Sequence, residues 1–194
     1  MSKKARKTKK QTMKKPKIPG RLPGDPSKAE MIKRMIRVDQ AGEYGAVRIY
    51  EGQLSVLGKS ASAPALEHMA EQERRHLDAF NKLIPERRVR PTALLPLWHV
   101  AGFTLGAGTA LLGEKAAHAC TVAVEEVIDE HYAAQGAVVE DDGLRQTFED
   151  CRLEELEHRQ TALDHGAREA PGYEGLTAVV KTCSRVAIWL SERI

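Results

Sequence analysis

The sequence predicts an all-α fold, a four-helix bundle built from two duplicated helical hairpins with an apolar crossover helix and a C-terminal helix. Three observations carry that prediction. Apolar residues recur at helical spacing, and no alternating strand pattern of useful length is present. Ala, Leu, Glu and Arg recur throughout while only 5% of residues are aromatic, which is the composition of good helix formers. A set of acidic, histidine, tyrosine and glutamine residues also repeats at an offset of 82 positions.

The elements follow in order. Residues 18–27 are dense in Pro and Gly and read as a linker. Ser27 then caps the first helix, with Glu30 completing a capping box, and the helix runs to Leu57 before Gly58. Residues 58–64 form a turn, and a second helix runs from about Ala65 to Leu83, stopping before Pro85. Residues 92–113 are an apolar segment. A fourth helix spans about Glu114 to Val139, a turn covers 140–143, and a fifth helix covers Leu144 to Arg168. Pro171 and Gly172 break the pattern before a last helix from Glu174 to Ser191.

The length of 194 residues suits one domain with a real core. Residues 1–21 hold ten Lys/Arg and no acid, which leaves 20 basic against 27 acidic residues for the rest. Residues 1–26 are therefore expected to be a basic flexible arm and linker, and residues 27–194 the functional domain. An acidic domain argues against a nucleic-acid partner, and the arm suits an anionic membrane leaflet or plain solvent. Cys120, Cys151 and Cys183 lie far apart without a C-x-x-C, as in a reducing compartment. The N-terminus lacks the apolar stretch of a secretory signal.

Two Glu-x-x-His pairs are present, Glu73/His76 and Glu155/His158. At three residues' spacing a carboxylate and an imidazole share a helix face and can take one metal. Such pairs arise readily by chance, and the context gives them weight. Glu43 precedes Glu73 by 30 residues and Glu125 precedes Glu155 by 30. The midpoints are Gly58 and Glu140, both in predicted turns, so each hairpin sets one Glu opposite one Glu-x-x-His. The offset of 82 maps Glu43, Tyr50, Gln53, Glu73 and His76 onto Glu125, Tyr132, Gln135, Glu155 and His158. Four carboxylates and two imidazoles from four helices are the donor set of ferritin-like dinuclear carboxylate centres. Buried without cations they would be very costly, and two divalent ions neutralise four carboxylates. Oxygen and nitrogen donors without thiolate suit iron or manganese. Glu126, Asp129, Glu154, Glu157, Glu71 and Asp39 lack an equivalent acid at the offset and read as surface or outer groups. Tyr50 and Tyr132 read either as core with a satisfied hydroxyl or as hydrogen-bond donors to a ligand or substrate. His131 stays open between an outer role and a plain helix position, and Gly42 and Gly45 between close helix approach and none.

Residues 92–113 contain no Asp, Glu, Lys or Arg. Three readings stand: a membrane span, a buried crossover helix, or an apolar surface that dips into a membrane. Gly102-x-x-x-Gly106 permits tight helix packing.

The stretches MIRVDQAGEYGAVRIYEGQ (35–53), EQERRHLDAFN (71–81), RVRPTALLPLWHVAGFTLGAGTALLGEKAAHACTVAVEEVIDEHYAAQ (88–135), LEELEHRQTALDHGA (153–167) and CSRVAIWLSERI (183–194) resemble the demethoxyubiquinone hydroxylase family. The resemblance covers about residues 28–194 and leaves the basic arm outside. It implies a ferritin-like di-iron monooxygenase of ubiquinone biosynthesis that hydroxylates the ring of a polyprenylated demethoxybenzoquinol. The implied metal ligands are Glu43, Glu73, His76, Glu125, Glu155 and His158, with Glu73 and Glu155 bridging and no further catalytic residue. The implied cofactors are two Fe ions, with O2 as cosubstrate and NADH or another electron donor as reductant. No G-x-G-x-x-G marks a nicotinamide site. The implied partners are the quinol substrate and a membrane surface, with a lipid-binding accessory protein or a homo-oligomer. The expected location is peripheral, on the cytoplasmic side of the cell membrane or the matrix side of the mitochondrial inner membrane. The competing reading is a ferroxidase or peroxide-scavenging protein on the same bundle, which has no use for an apolar crossover. A non-enzymatic membrane-associated helical protein is a further alternative.

Overall fold

The computed structural model describes residues 24–194. The arm expected at residues 1–26 lies outside the described residues except for its last three. Among the described residues the order is α1 (Lys28–Leu57), α2 (Ala63–Glu86), α3 (Leu95–Leu111), α4 (Glu114–Val138), α5 (Asp142–Asp164), a 3₁₀ turn (Ala167–Glu169) and α6 (Tyr173–Ser191), with no strand.

The predicted start of α1 is present in full. The Ser27 side chain accepts from Glu30 N–H, and the Glu30 carboxylate accepts from Ser27 N–H at 2.6 Å. The boundaries of α2 and α5 move. Helix α2 begins at Ala63, because Pro64 fits the first turn, where no N–H is needed, and it passes through Pro85 to Glu86. In the last turn Pro85 removes only one bond, and Arg87 N–H still reaches Leu83 O at 2.9 Å. Helix α5 ends at Asp164 rather than Arg168, because Gly166 turns left-handed (φ 79°) and the chain tightens into the 3₁₀ turn.

Helices α1 and α2 pair as one hairpin and α4 and α5 as the other. Helix α3 lies along α1 and α6 along α4. The offset that duplicates the hairpins carries Leu95–Leu111 onto 177–193, overlapping α6. The crossover and the C-terminal helix are thus equivalent third helices of two three-helix halves.

Glycine sets the contact between α1 and α3. A Cβ on Gly106 would sit 1.9 Å from Ile49 O, one on Gly102 2.8 Å from Gly45 O, and one on Gly52 2.2 Å from Phe103 O. The Gly102-x-x-x-Gly106 pattern therefore marks real backbone contact. Of the three readings of the apolar segment, spanning fails, since among the described residues no helix is long and apolar enough to cross a membrane. Helix α3 buries Gly102, Gly106, Thr109 and Ala110 and exposes Leu97, Val100 and Leu111. Helix α6 buries Val180 and exposes Val179, Val186 and Trp189, so its apolar residues are split between core and surface.

Two apolar clusters cap the bundle interior. One gathers Ile36, Phe80, Tyr132, Leu144 and Phe148, with Phe80 stacked on both Tyr132 and Phe148 at 6.2 and 6.3 Å. The other gathers Tyr50, Leu57, Leu66, Met69 and Ala117 near the α1–α2 turn. The polar layer between them is the candidate site.

Candidate metal centre

Glu43 comes from α1, Glu73 and His76 from α2, Glu125 from α4, and Glu155 and His158 from α5. All six are buried, none exposing more than 5% of its surface. They form two groups whose donor atoms lie within 4.8 Å of one another. One is Glu43, Glu73, His76 and Glu155, and the other is Glu73, Glu125, Glu155 and His158. Glu73 and Glu155 belong to both.

The contacts give each histidine one inward and one outward nitrogen. His76 Nδ1 lies 3.2 Å from Glu155, 3.4 Å from Glu43 and 3.9 Å from Glu73. His158 Nδ1 lies 3.0 Å from Glu155 and 3.1 Å from Glu73. Outward, His76 Nε2 meets Glu154 at 3.2 Å and His158 Nε2 meets Gln72 Oε1 at 3.1 Å. A carboxylate or amide oxygen accepts only from N–H, so with the outer bonds in place each imidazole, once it gives up its inner proton, presents its Nδ1 lone pair to the cluster.

Tyr50 donates to Glu125 Oε1 at 3.1 Å and Tyr132 donates to Glu43 Oε1, each tyrosine reaching into the other hairpin. Both readings of these tyrosines hold: each packs in an apolar cluster, and each satisfies its hydroxyl on a site carboxylate. Gln53 reaches Thr121 Oγ1 at 3.4 Å, and Gln135 reaches Asp39 Oδ1 at 2.9 Å. His131 Nε2 also meets Asp39 at 3.1 Å, so both belong to an outer polar layer. Glu126, Asp129 and Glu71 pair with Arg159, Arg152 and Arg74 away from the cluster.

The electrostatics are those of crowded charge in a dry interior. Burial, then the charge of Glu155, pushes Glu73 and Glu125 well above the usual carboxylate range. Burial would do the same to Glu155, but His158 and His76 override it and bring it down to about 2. Burial opposes a charge on His76, yet contacts with Glu155 and Glu43 raise it to about 12. His158 likewise rises to about 10 beside Glu155 and Glu73. Burial and the adjacent carboxylates hold both tyrosines well above 10, in the donating O–H form.

This set fits divalent cations. Glu43 Oε2 and His76 Nδ1 are buried without a hydrogen bond, and such orphaned donor atoms are costly unless something binds them. Oxygen and imidazole donors in two groups with two shared carboxylates are the chemistry of a two-metal site for hard or borderline ions.

On the α1/α4 flank of the layer lies an apolar groove of about 250 Å³, walled by α3 and α6 and floored by α1 and α4. Its lining includes Gly42, Gly45, Ile49, Trp98, Val124 and Ile188. Gly42 and Val124 are the chain neighbours of Glu43 and Glu125. A Cβ on Gly42 or Gly45 would meet nothing within 4 Å. Gly42 thus opens the groove floor, while Gly45 offers its carbonyl to the close approach of Gly102. Sequence reasoning missed the groove and Gln72; the signal for Gln72 was its place opposite Glu154 at the 82-residue offset.

The family model described as "Ubiquinone biosynthesis protein COQ7" matches residues 30–191. A 3-demethoxyubiquinol 3-hydroxylase of Rhodospirillum rubrum is 58% identical over 177 residues, 90% of this chain and 84% of its own length. A human protein named NADPH-dependent 3-demethoxyubiquinone 3-hydroxylase, mitochondrial, is 52% identical over 169 residues, 84% of this chain and 78% of its own. A Saccharomyces cerevisiae protein named 5-demethoxyubiquinone hydroxylase, mitochondrial, is 43% identical over 187 residues, 87% of this chain and 80% of its own. With the match running through all four helices of the candidate centre, the chain belongs to the COQ7 family of ubiquinone biosynthesis proteins.

Proposed function

We propose that this chain is an oxidoreductase that hydroxylates the ring of a polyprenylated demethoxyubiquinol at a di-iron centre, with O2 as cosubstrate. The observation that carries the reading is the paired Glu/His cluster whose Glu43 and Glu125 adjoin the floor of an apolar groove at Gly42 and Val124. Glu43 and His76 would hold one iron, Glu125 and His158 the other, and Glu73 and Glu155 would bridge them. Two irons held there supply, when bound, the redox chemistry that places one oxygen of O2 on the ring and releases the other as water. That balance takes two electrons and two protons, from NADH or another donor.

The protein's part is positioning and exclusion of water. Tyr50 and Tyr132 each hold one oxygen of Glu125 and Glu43, which fixes how those carboxylates face the cluster. Gly42 and Gly45 keep the groove floor clear for a flat ring, and Ile49, Leu105, Trp98 and Ile188 offer the tail an apolar lining. Around the groove, Leu97, Val100, Val179, Val186 and Trp189 are each more than half exposed on α3 and α6. An apolar rim of this kind suits peripheral attachment to a membrane, from which a prenylated substrate can slide directly into the groove.

The test is isotopic. Iron-loaded protein given a demethoxyubiquinol analogue, a reductant and 18O2 should return product carrying one 18O on the ring, and Glu125→Ala should abolish it while circular dichroism stays helical. Oxygen consumption without ring labelling would overturn the reading in favour of a ferroxidase or peroxide scavenger. For the membrane face, Val100→Glu with Val186→Glu should reduce flotation with anionic lipid vesicles; undiminished flotation would count against that surface.

A further inference from the structure

We propose that Glu154 and Gln72 make the two metal positions unequal, so that the Glu43/His76 position binds its ion first and more tightly than the Glu125/His158 position. The inference rests on the two-metal reading above and concerns how this chain divides its affinity between the ions.

The six inner residues match one for one at the 82-residue offset, and so do the tyrosines behind them. The acceptors behind the imidazoles do not. Gln72 on α2 maps onto Glu154 on α5, an amide against a carboxylate. Each reaches across to the histidine of the other hairpin: Glu154 to His76 Nε2 at 3.2 Å, Gln72 to His158 Nε2 at 3.1 Å. Arg75 reaches the same oxygen of Glu154 at 3.2 Å, whereas Gln72 is buried.

An imidazole that donates its outer N–H to a carboxylate is a stronger metal donor through its inner nitrogen than one that donates to a neutral carbonyl. Glu154 therefore strengthens His76, and Gln72 fixes the tautomer and ring plane of His158 without that gain. Both are positioning residues, since each acts through a histidine. Loss of such an outer partner typically weakens metal affinity about 10–100-fold.

The experiment is calorimetric titration of metal-free protein with Mn(II) under anaerobic conditions, with Co(II) absorption as the spectroscopic check. Wild type should bind two ions in separate steps. Glu154→Gln, at a half-exposed position where folding is safe, should weaken the tight step about 10–100-fold. It should also alter the spectrum of the first Co(II) bound, while the loose step stays put. Swapping the pair as Gln72→Glu with Glu154→Gln should reverse the order. His158→Ala then removes the loose step in the wild-type background and the tight step in the swap. Two equal steps in wild type, or steps unmoved by Glu154→Gln, would overturn the inequality and leave the two-metal centre standing. A wild type that binds no ion would overturn the centre itself.

Discussion

Metal loading should expel protons from the donor cluster. Without metal, His76 and His158 carry protons at neutral pH, because their carboxylate neighbours raise them to about 12 and about 10. Glu73 and Glu125 are pushed well above the usual carboxylate range by burial and by the charge of Glu155. A metal ligand must give up its proton. The two imidazoliums alone then release about two protons per chain when two ions bind at pH 7, and any proton held on the raised carboxyls adds to that. Because the metal-free form binds the extra protons, lowering the pH opposes loading. Two-ion affinity should fall by at least about two powers of ten per pH unit wherever both imidazoles are protonated in the metal-free form. The assay is a pH-stat titration of the metal-free protein with Mn(II). Release of one proton or none would refute the account of how these buried groups share charge.

Other perturbations follow from groups outside the centre. A Cβ on Gly106 would overlap Ile49 O at 1.9 Å, so Gly106→Ala should cost about 2 kcal/mol and about 4–8 °C in Tm. Gly108→Ala meets open space and should be neutral or mildly stabilising by thermal denaturation. His118 is fully buried against Ser62 Oγ at 3.0 Å, and burial followed by His165 brings its pKa down to about 4. As the pH falls below about 6.5 the unfolded chain takes up this proton and the folded one does not, so the fold loses about 3 kcal/mol by pH 4 and no more below it. His118→Gln should flatten that part of the pH dependence in urea melts.

The hairpins were legible because the sequence states them in two independent ways. Ser27 and Glu30 announce the start of α1, and the equal spacing of Glu43 and Glu73 about Gly58 places the turn between two facing donors. The ends of α2 and α5 were less legible, since they depend on whether one lost bond at Pro85, or a left-handed Gly166, stops a helix that packing favours. The inner cluster was readable because its chemistry needs identical residue types in both halves. The outer layer was not, because a hydrogen bond asks only for an acceptor. A search for matching acids passes over Gln72 opposite Glu154 and Thr121 opposite Asp39, although the matched glutamines Gln53 and Gln135 reach for Thr121 and Asp39.

The places where duplication breaks are also where one side of the bundle becomes different from the other. Gly102 and Gly106 let α3 touch the backbone of α1, and at the offset they correspond to Ser184 and Ile188 on α6. A serine and an isoleucine cannot repeat that backbone contact, and both instead line the groove. On its floor Gly42 stands where the other half has Val124, so space opens beside Glu43 and is filled beside Glu125. Identical residues in the inner layer supply matched donors for two ions. Unequal small residues on the groove floor favour the Glu43 side for access, and unequal acceptors behind the histidines favour the same side for affinity. A reaction that uses two ions but admits one ring from one face needs both kinds of departure from symmetry. They converge on the half of the centre held by α1 and α2.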